Sequence, residues 1–91
     1  MANSKSAAKR ARVAERQRIR NRIFRSAART HVKRAERLIA QGQAEAAATA
    51  VGDAISTLDR AAIKGIIHKN NASRRKSRLM TKFNQLVRPE A

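Results

Sequence analysis

The sequence predicts an all-α fold, a three-helix bundle from which a long first helix protrudes. Helix breakers are nearly absent, since the 91 residues include one Pro and three Gly, while good helix formers dominate. Gly42 and Gly65 divide the chain into three segments, and apolar residues recur at helical spacing in each. We therefore predict a single domain over residues 1–91, with a protruding basic helix at 5–22 and the bundle at 23–87.

The first segment predicts a helix over about residues 5–40, with Ser4 or Ser6 as its N-cap. In the C-terminal part of this helix, apolar residues cover one half of the helix circumference: Ile23, Phe24, Ala27, Ala28, Val32, Ala35, Leu38 and Ile39. Nearer the N-terminus the same face carries charge, at Lys9, Arg10, Arg16 and Arg20. Because these charges cannot pack against an apolar core, we expect residues 5–22 to project from the bundle and to fray when alone.

The second and third segments each have one apolar face. The core face predicted for the second carries Ala44, Ala47, Ala48, Val51, Ala54, Ile55, Leu58 and Ala62, opposite Glu45, Asp53 and Arg60. The core face predicted for the third segment carries Ala72, Leu79, Met80, Phe83, Leu86 and Val87. A ladder of Arg74, Arg78 and Lys82 lies on the opposite face, and no acidic stripe matches it. Gly52 falls inside the second segment, where it predicts close helix packing rather than a break.

Charge is the strongest functional signal in the sequence. Lys and Arg number 22 against 6 Asp and Glu, and the net charge is +16. Two basic arms, residues 1–40 at +11 and residues 61–91 at +7, flank a middle segment at −2. Like charges at i, i+4 destabilise a free helix, and cations surround the first helix at Lys9, Arg10, Arg12, Arg16, Arg18, Arg20, Arg22 and Arg25, with Arg29 and Lys33 further along its back. A polyanion folded around the helix resolves this repulsion, so a nucleic acid is the expected partner.

Other classes of protein lack the residues they need. The chain has no Cys, Trp or Tyr and two Phe, Phe24 and Phe83, which excludes thiolate sites and an aromatic stacking platform for single strands. His31 and His68 are far apart in sequence, no carboxylate pair has a useful spacing, and no Gly-rich phosphate loop is present. No apolar run approaches a membrane span. We expect neither an enzyme nor a metal site, cofactor, small-molecule substrate or membrane partner.

Three motifs point weakly to other functions. The segment around Asn21–Arg29 echoes the basic region of leucine-zipper proteins, but the zipper is missing. A helix-turn-helix around Gly65 would read DNA with residues 73–79. An Arg-rich start also suggests a transit peptide or a membrane-surface helix, yet residues 5–22 offer only Val13 and Ile19 as large apolar groups. The remaining alternative to an RNA-binding protein is an architectural DNA-binding protein of the nucleoid.

The chain resembles the bacterial small-subunit ribosomal protein twenty family over nearly its whole length. The usual start of that family is similar to residues 1–10, MANSKSAAKR. Its most recognisable segment resembles residues 59–70, DRAAIKGIIHKN, and continues through Ala72, Ser73, Arg74 and Lys76. Further residues in family register are Asn21, Arg25, Ser26, Arg29, Thr30, Val32, Lys33 and Arg34. This chain departs from the pattern at Ala27 and Ala28, where the family often has bulkier apolar residues.

The resemblance implies a three-helix bundle with a long first helix, and a structural protein that binds 16S ribosomal RNA directly in the small subunit, in the cytoplasm. It implies contacts with the 5′ domain and the base of the long 3′-minor-domain helix. We also expect the turn over residues 64–70 to reach the RNA backbone through Lys64, His68, Lys69 and Asn70, with a plain interhelical turn as the alternative. The predicted RNA-binding residues are Lys5, Lys9, Arg10, Arg12, Arg16, Arg18, Arg20, Asn21, Arg22, Arg25, Ser26, Arg29, Thr30, Lys33, Lys64, His68, Lys69, Asn70, Arg74, Arg75, Lys76, Arg78 and Lys82.

Overall fold

A computed structural model of the chain describes residues 2–89, with side chains from Ser4 onward. The described residues form three helices and no strand: α1 (Ala2–Ala40), α2 (Ala44–Ile63) and α3 (Lys69–Val87). The predicted all-α bundle with a long first helix is confirmed. The predicted N-caps are wrong, because α1 already begins at Ala2 and both Ser4 and Ser6 lie inside it. The family-like start of the chain lies partly outside the described residues, at Met1.

Two glycines end the first two helices, as predicted. Gly42 and Gly65 both adopt a φ of +74°, a left-handed conformation that side chains with a Cβ rarely adopt. After α2, the Gly65 N–H donates to the Ala62 carbonyl at 3.0 Å and the Ile66 N–H donates to the Ala61 carbonyl at 2.9 Å. This pattern closes the helix and turns the chain inward, so that Ile66 is buried although it belongs to no helix.

α3 starts from a side-chain cap. His68 has an extended backbone, and its Nδ1 accepts a hydrogen bond from the Asn70 N–H at 3.1 Å. A cap of this kind satisfies one of the N–H groups that the first turn of a helix leaves without a backbone acceptor. The turn between α2 and α3 therefore spans residues 64–68, and Lys69 and Asn70 already belong to α3.

The core is built mainly from small residues. Leu58 and Leu79 are the largest side chains that are fully buried in the described part of the chain. Around them, alanines let the helices approach closely. One cluster joins the C-terminal half of α1 to the N-terminal half of α2 and to α3, through Ala35, Ala50, Val51, Ala54 and Leu79, and another joins Ala28, Leu58 and Ala72. The small Ala28 thus suits a point where all three helices meet.

Several predicted core positions are exposed. Ile23 is 63% exposed, Val87 42% and Met80 37%, and Ala48 also faces outward. Each lies at the edge or the end of its apolar stripe, where the neighbouring helix no longer covers it. Gly52 continues α2 without a break, as expected, but the predicted close packing is wrong, since a Cβ added there would meet nothing within 4 Å.

The two halves of α1 differ completely in their surroundings. α2 and α3 pack against its C-terminal half, where Ala28 and Ala35 are buried. Every side chain from residue 4 to residue 20 is exposed. α1 has 39 residues, which corresponds to about 58 Å at 1.5 Å per residue, and the molecule extends 69 Å along its longest axis. The predicted protrusion of the first helix is confirmed.

We expect Leu58→Ala to lower the free energy of unfolding by about 2–5 kcal/mol, because it leaves a cavity where the second cluster meets α2. Ile63→Ala is the matched control, since it also shortens an aliphatic side chain of α2, but at a position that is 85% exposed. That change is expected to stay within about 0.5 kcal/mol. Urea unfolding of the full chain, followed by circular dichroism, measures both, and equal losses would contradict this core.

Candidate nucleic-acid interface

The protruding half of α1 presents cations without a protein partner. The seven predicted site residues in it are all exposed: Lys5, Lys9, Arg10, Arg12, Arg16, Arg18 and Arg20. Glu15 is the one carboxylate between residues 4 and 20, and its Oε2 lies 3.0 Å from Nη2 of Arg18. Both side chains are more than half exposed, so this pair stabilises the helix only slightly. The charge of this segment is left for an outside anion to neutralise.

The basic face of α1 continues along the back of the bundle. A shallow cavity of about 550 Å³ is lined there by Arg18, Asn21, Arg22, Arg25, Ser26 and Arg29. Its residues are spaced three and four apart, which places them on one side of a helix. Oδ1 of Asn21 is buried and accepts no hydrogen bond within the described residues. Six predicted site residues are thus brought together at this cavity, whereas Thr30 is exposed further along.

Arg25 also holds the bundle together. Its Nη2 donates to the backbone carbonyl of Ile66 at 3.0 Å, across 41 residues of sequence. This bond ties α1 to the turn between α2 and α3, beside the buried side chain of Ile66. Sequence reasoning missed the role because it placed Arg25 on the outer face of the helix, and a basic residue in such a pattern carries no sign of a backbone acceptor.

α1 and α3 enclose a groove lined by cations, which we call the α1–α3 groove. Its volume is about 380 Å³, and Val32 forms part of its wall. The predicted ladder of α3 lies here together with a cation of α1: Lys33, Arg74, Arg75, Arg78 and Lys82. All five are exposed. The ladder therefore lines one side of the groove, and Lys33 of α1 lines the other side. The sequence did not predict that the two sides face each other.

One carboxylate enters the groove, contrary to prediction. Oε1 of Glu36 lies 3.5 Å from Nζ of Lys82, although the sequence indicated no acidic group to match the ladder. The sequence pattern was read within each helix, and this pair forms between two helices. Both side chains are about half exposed, so the pair is weak and the groove keeps a net positive charge.

A third cavity connects the α1–α3 groove to the back of α1. It has a volume of about 130 Å³, and cations of both helices line it: Arg25, Arg29 and Arg75. Arg75 also donates from Nε to Oδ1 of Asn71 at 2.9 Å, which fixes the direction of its guanidinium. A continuous strip of cations therefore runs from Arg18 along α1 into the groove, and we call it the basic surface.

Two groups of predicted site residues lie apart from the basic surface. Nζ of Lys76 is 2.8 Å from Oδ1 of Asp59, so its charge is partly matched within the protein. Nζ of Lys64 lies 5.5 Å from the ring centroid of Phe24, and Lys64 does not line the groove. His68, Lys69 and Asn70 are exposed where α3 begins. Their predicted contact with RNA stays a prediction.

Comparison with known proteins identifies the family. The family described as ribosomal protein S20 matches residues 2–84. The chain belongs to the ribosomal protein S20 family. A relative from Thermomicrobium roseum, named small ribosomal subunit protein bS20, is 64% identical over 97% of this chain and 89% of its own length. Relatives with the same name from Roseiflexus and Coprothermobacter proteolyticus are 57% and 51% identical over 91% and 93% of this chain, and over 90% and 97% of theirs.

Membership of this family confirms the resemblance found in the sequence and the prediction that the chain is not an enzyme, since the family consists of structural ribosomal proteins. Among the described residues, no three His, Asp or Glu side chains are grouped as a metal site would require. Within residues 2–89, no helix combines the length and the apolarity of a membrane span.

We expect Arg25→Ala to lower the free energy of unfolding by about 1 kcal/mol in the absence of RNA, because the Ile66 carbonyl loses its charged donor. Arg22→Ala is the matched control: it removes the same charge one turn away, and any relief of repulsion is common to both variants. Urea unfolding measures the difference, and identical stabilities would show that the bond contributes nothing.

Proposed function

We propose that this protein is a structural component of the small ribosomal subunit, in the cytoplasm, and that it binds 16S ribosomal RNA directly. The family and the names of its relatives support the place in the subunit. The continuous basic surface supports the direct contact with RNA, because it joins cations of two helices in cavities of a size for phosphate groups. That surface is the observation that carries the proposal.

The proposed mechanism is neutralisation of RNA phosphates. A net charge of +16 on 91 residues provides long-range attraction, and each phosphate contact releases condensed counterions. Arginine outnumbers lysine by 15 to 7, which favours bidentate contacts with phosphate oxygens over diffuse charge. Contacts of this kind position the protein on the shape of a folded RNA and carry little base specificity.

The two ends of α1 have different tasks in this proposal. Its protruding half lies between RNA segments whose phosphates would otherwise repel one another, since its cations point to several sides of the helix axis. The α1–α3 groove grips a second RNA element, and the small core between the helices sets the angle between the two. By resemblance to the family, these elements are the 5′ domain and the base of the long 3′-minor-domain helix of 16S RNA.

The remaining face of the bundle points to solvent. Glu45 and Asp53 are exposed on α2. Both belong to residues 41–60, the segment whose net charge is negative. A phosphate placed there would be repelled rather than bound. The RNA phosphates are therefore expected along α1 and α3 and not beside Glu45 or Asp53.

The salt dependence of binding tests the mechanism. If about ten phosphates are neutralised, log K against log salt for a folded fragment of 16S RNA is expected to have a slope of about −7 to −9. A slope shallower than about −3 would mean that most cations merely face solvent. Duplex DNA added as competitor at moderate salt is expected to displace little RNA, and complete displacement at equal phosphate concentration would instead favour a DNA-binding protein.

Paired removal of arginines tests the position of the groove. Arg74→Ala combined with Arg78→Ala is expected to lower the affinity for the RNA fragment by about 1–3 kcal/mol, the scale of lost charge-assisted contacts. Arg34→Ala combined with Arg37→Ala is the matched control: it removes the same charge from exposed positions of α1 that line none of the three basic cavities. We expect a clearly smaller loss from the control, with unchanged melting for both.

Asp53→Ala completes this series. It removes a negative charge from the face assigned to solvent, so the affinity is expected to stay unchanged or to rise slightly. Weakened binding by Asp53→Ala, together with no effect of the Arg74 and Arg78 changes, would place the RNA on the opposite side of the bundle.

A further inference from the structure

A cavity between α1 and α2 contains none of the predicted RNA-binding residues. It is half open, has a volume of about 230 Å³, and is lined by Ile23, Phe24, Ala27, His31, Thr57 and Arg60. Pockets for drug-sized ligands typically measure about 300–1,000 Å³. This one is smaller, and suits a single planar ring system rather than a longer molecule.

The cavity is lined by two side chains with rings, Phe24 and His31, and by two that form hydrogen bonds, Thr57 and Arg60. Phe24 and His31 are two of the four Phe and His residues of a chain without Trp or Tyr. The hydroxyl of Thr57 donates to the Asp53 carbonyl at 2.9 Å, so its oxygen can still accept from a ligand. Nη2 of Arg60 donates to Ser56 at 3.0 Å, and a guanidinium has further N–H donors. Stacking on Phe, His or Arg and hydrogen bonding to base edges are the means by which proteins hold unpaired RNA bases.

The cavity leaves apolar surface exposed to water, and a bound molecule that covers this surface would gain hydrophobic stabilisation. Ile23 in its wall is 63% exposed, although burying an aliphatic side chain of this size contributes roughly 1.5–3 kcal/mol. The only charged side chain among the lining residues is Arg60, and Nζ of Lys64 lies over one face of the Phe24 ring, 5.5 Å from its centroid, so a base would stack on the opposite face. The complementary occupant is flat and apolar on its faces and attached to negative charge. A nucleotide has both properties.

The position of the cavity on α1 points to the same occupant. Arg16 and Arg20 precede Phe24 by eight and four residues, so they lie on the same face of the helix, each about 6 Å further along the axis. Both are exposed. A strand whose phosphates contact these arginines would reach the cavity with its next nucleotides, while the basic surface lies on a different face of α1.

We propose that the cavity between α1 and α2 binds one unpaired nucleobase of the RNA, stacked on Phe24. The inference rests on the proposed function, because the base arrives as part of the bound RNA. It adds to that function a single point of base recognition in an interface that otherwise contacts phosphates. A stacking platform for single strands needs several rings for successive bases, whereas one ring is enough for one base.

Hairpins with a one-nucleotide bulge test the proposal. The probes are five labelled RNA hairpins of identical stem, bulged at one position with A, G, C, U or an abasic nucleotide, and binding to the full chain is measured by fluorescence anisotropy at fixed salt. The abasic bulge keeps the phosphates and the flexibility of the strand and lacks only the base. We expect at least one base to bind about 5- to 150-fold more tightly than the abasic hairpin, the range for one stacked base.

Two variants assign that difference to the cavity. Phe24→Leu is expected to abolish the preference for the base and to leave the affinity for the abasic hairpin unchanged. Phe83→Leu is the matched control, since Phe83 packs against the core cluster with Leu79 at the other end of the bundle, and it is expected to keep the preference. Thermal melting of both variants confirms that they fold.

The outcomes separate this inference from the proposed function. If all five hairpins bind equally, or if Phe24→Leu keeps the preference, the base site is overturned while the RNA-binding function stands, and the apolar walls would instead fit a protein partner. If no hairpin binds at any salt concentration, the proposed function fails and the base site fails with it.

Discussion

The difference in length between α1 and its two partners is the constraint on which the rest of the structure depends. α1 has 39 residues, whereas α2 and α3 have 20 and 19, so the two shorter helices can cover only half of it. The other half has no continuous apolar face to share with them, and its like charges oppose an isolated helix. The molecule therefore consists of a small bundle with its own core and an arm whose helical state we expect to depend on anions from outside.

The small core is what allows the charges of α1 and α3 to converge. Alanines at the points of contact bring the helices close, and the cations that flank these contacts meet in the α1–α3 groove. Arg25 fixes the turn that positions α3 through the carbonyl of Ile66. Among the described residues, partly exposed ion pairs at Arg18, Lys76 and Lys82 match some of the charge, and most other cations of the basic surface have no carboxylate partner there. The small bundle thus holds the cations of α1 and α3 in fixed positions relative to one another.

Features that lie within one helix could be predicted from the sequence, and those between helices could not. Helical spacing gave the three helices and the protrusion, because Arg16 and Arg20 interrupt an apolar face that Phe24 begins. The exposure of Met80 and Val87 escaped prediction, since a wheel shows neither how wide a face the neighbouring helices cover nor where those helices end. Three features combine residues of separate segments, and no spacing rule connects such residues. They are the Glu36–Lys82 pair, the bond from Arg25 to the Ile66 carbonyl and the cavity between α1 and α2.

Hydrogen exchange along α1, with and without a folded fragment of 16S RNA, tests the central claim most directly. Amides in the bundle half, such as those of Ala28 and Ala35, are expected to be protected in both states, because the core covers them. Amides between residues 5 and 20 are expected to exchange rapidly in the free protein and to gain strong protection when RNA binds. Equal protection of both halves in the free protein would contradict the account, because the arm would then need no polyanion to be a stable helix.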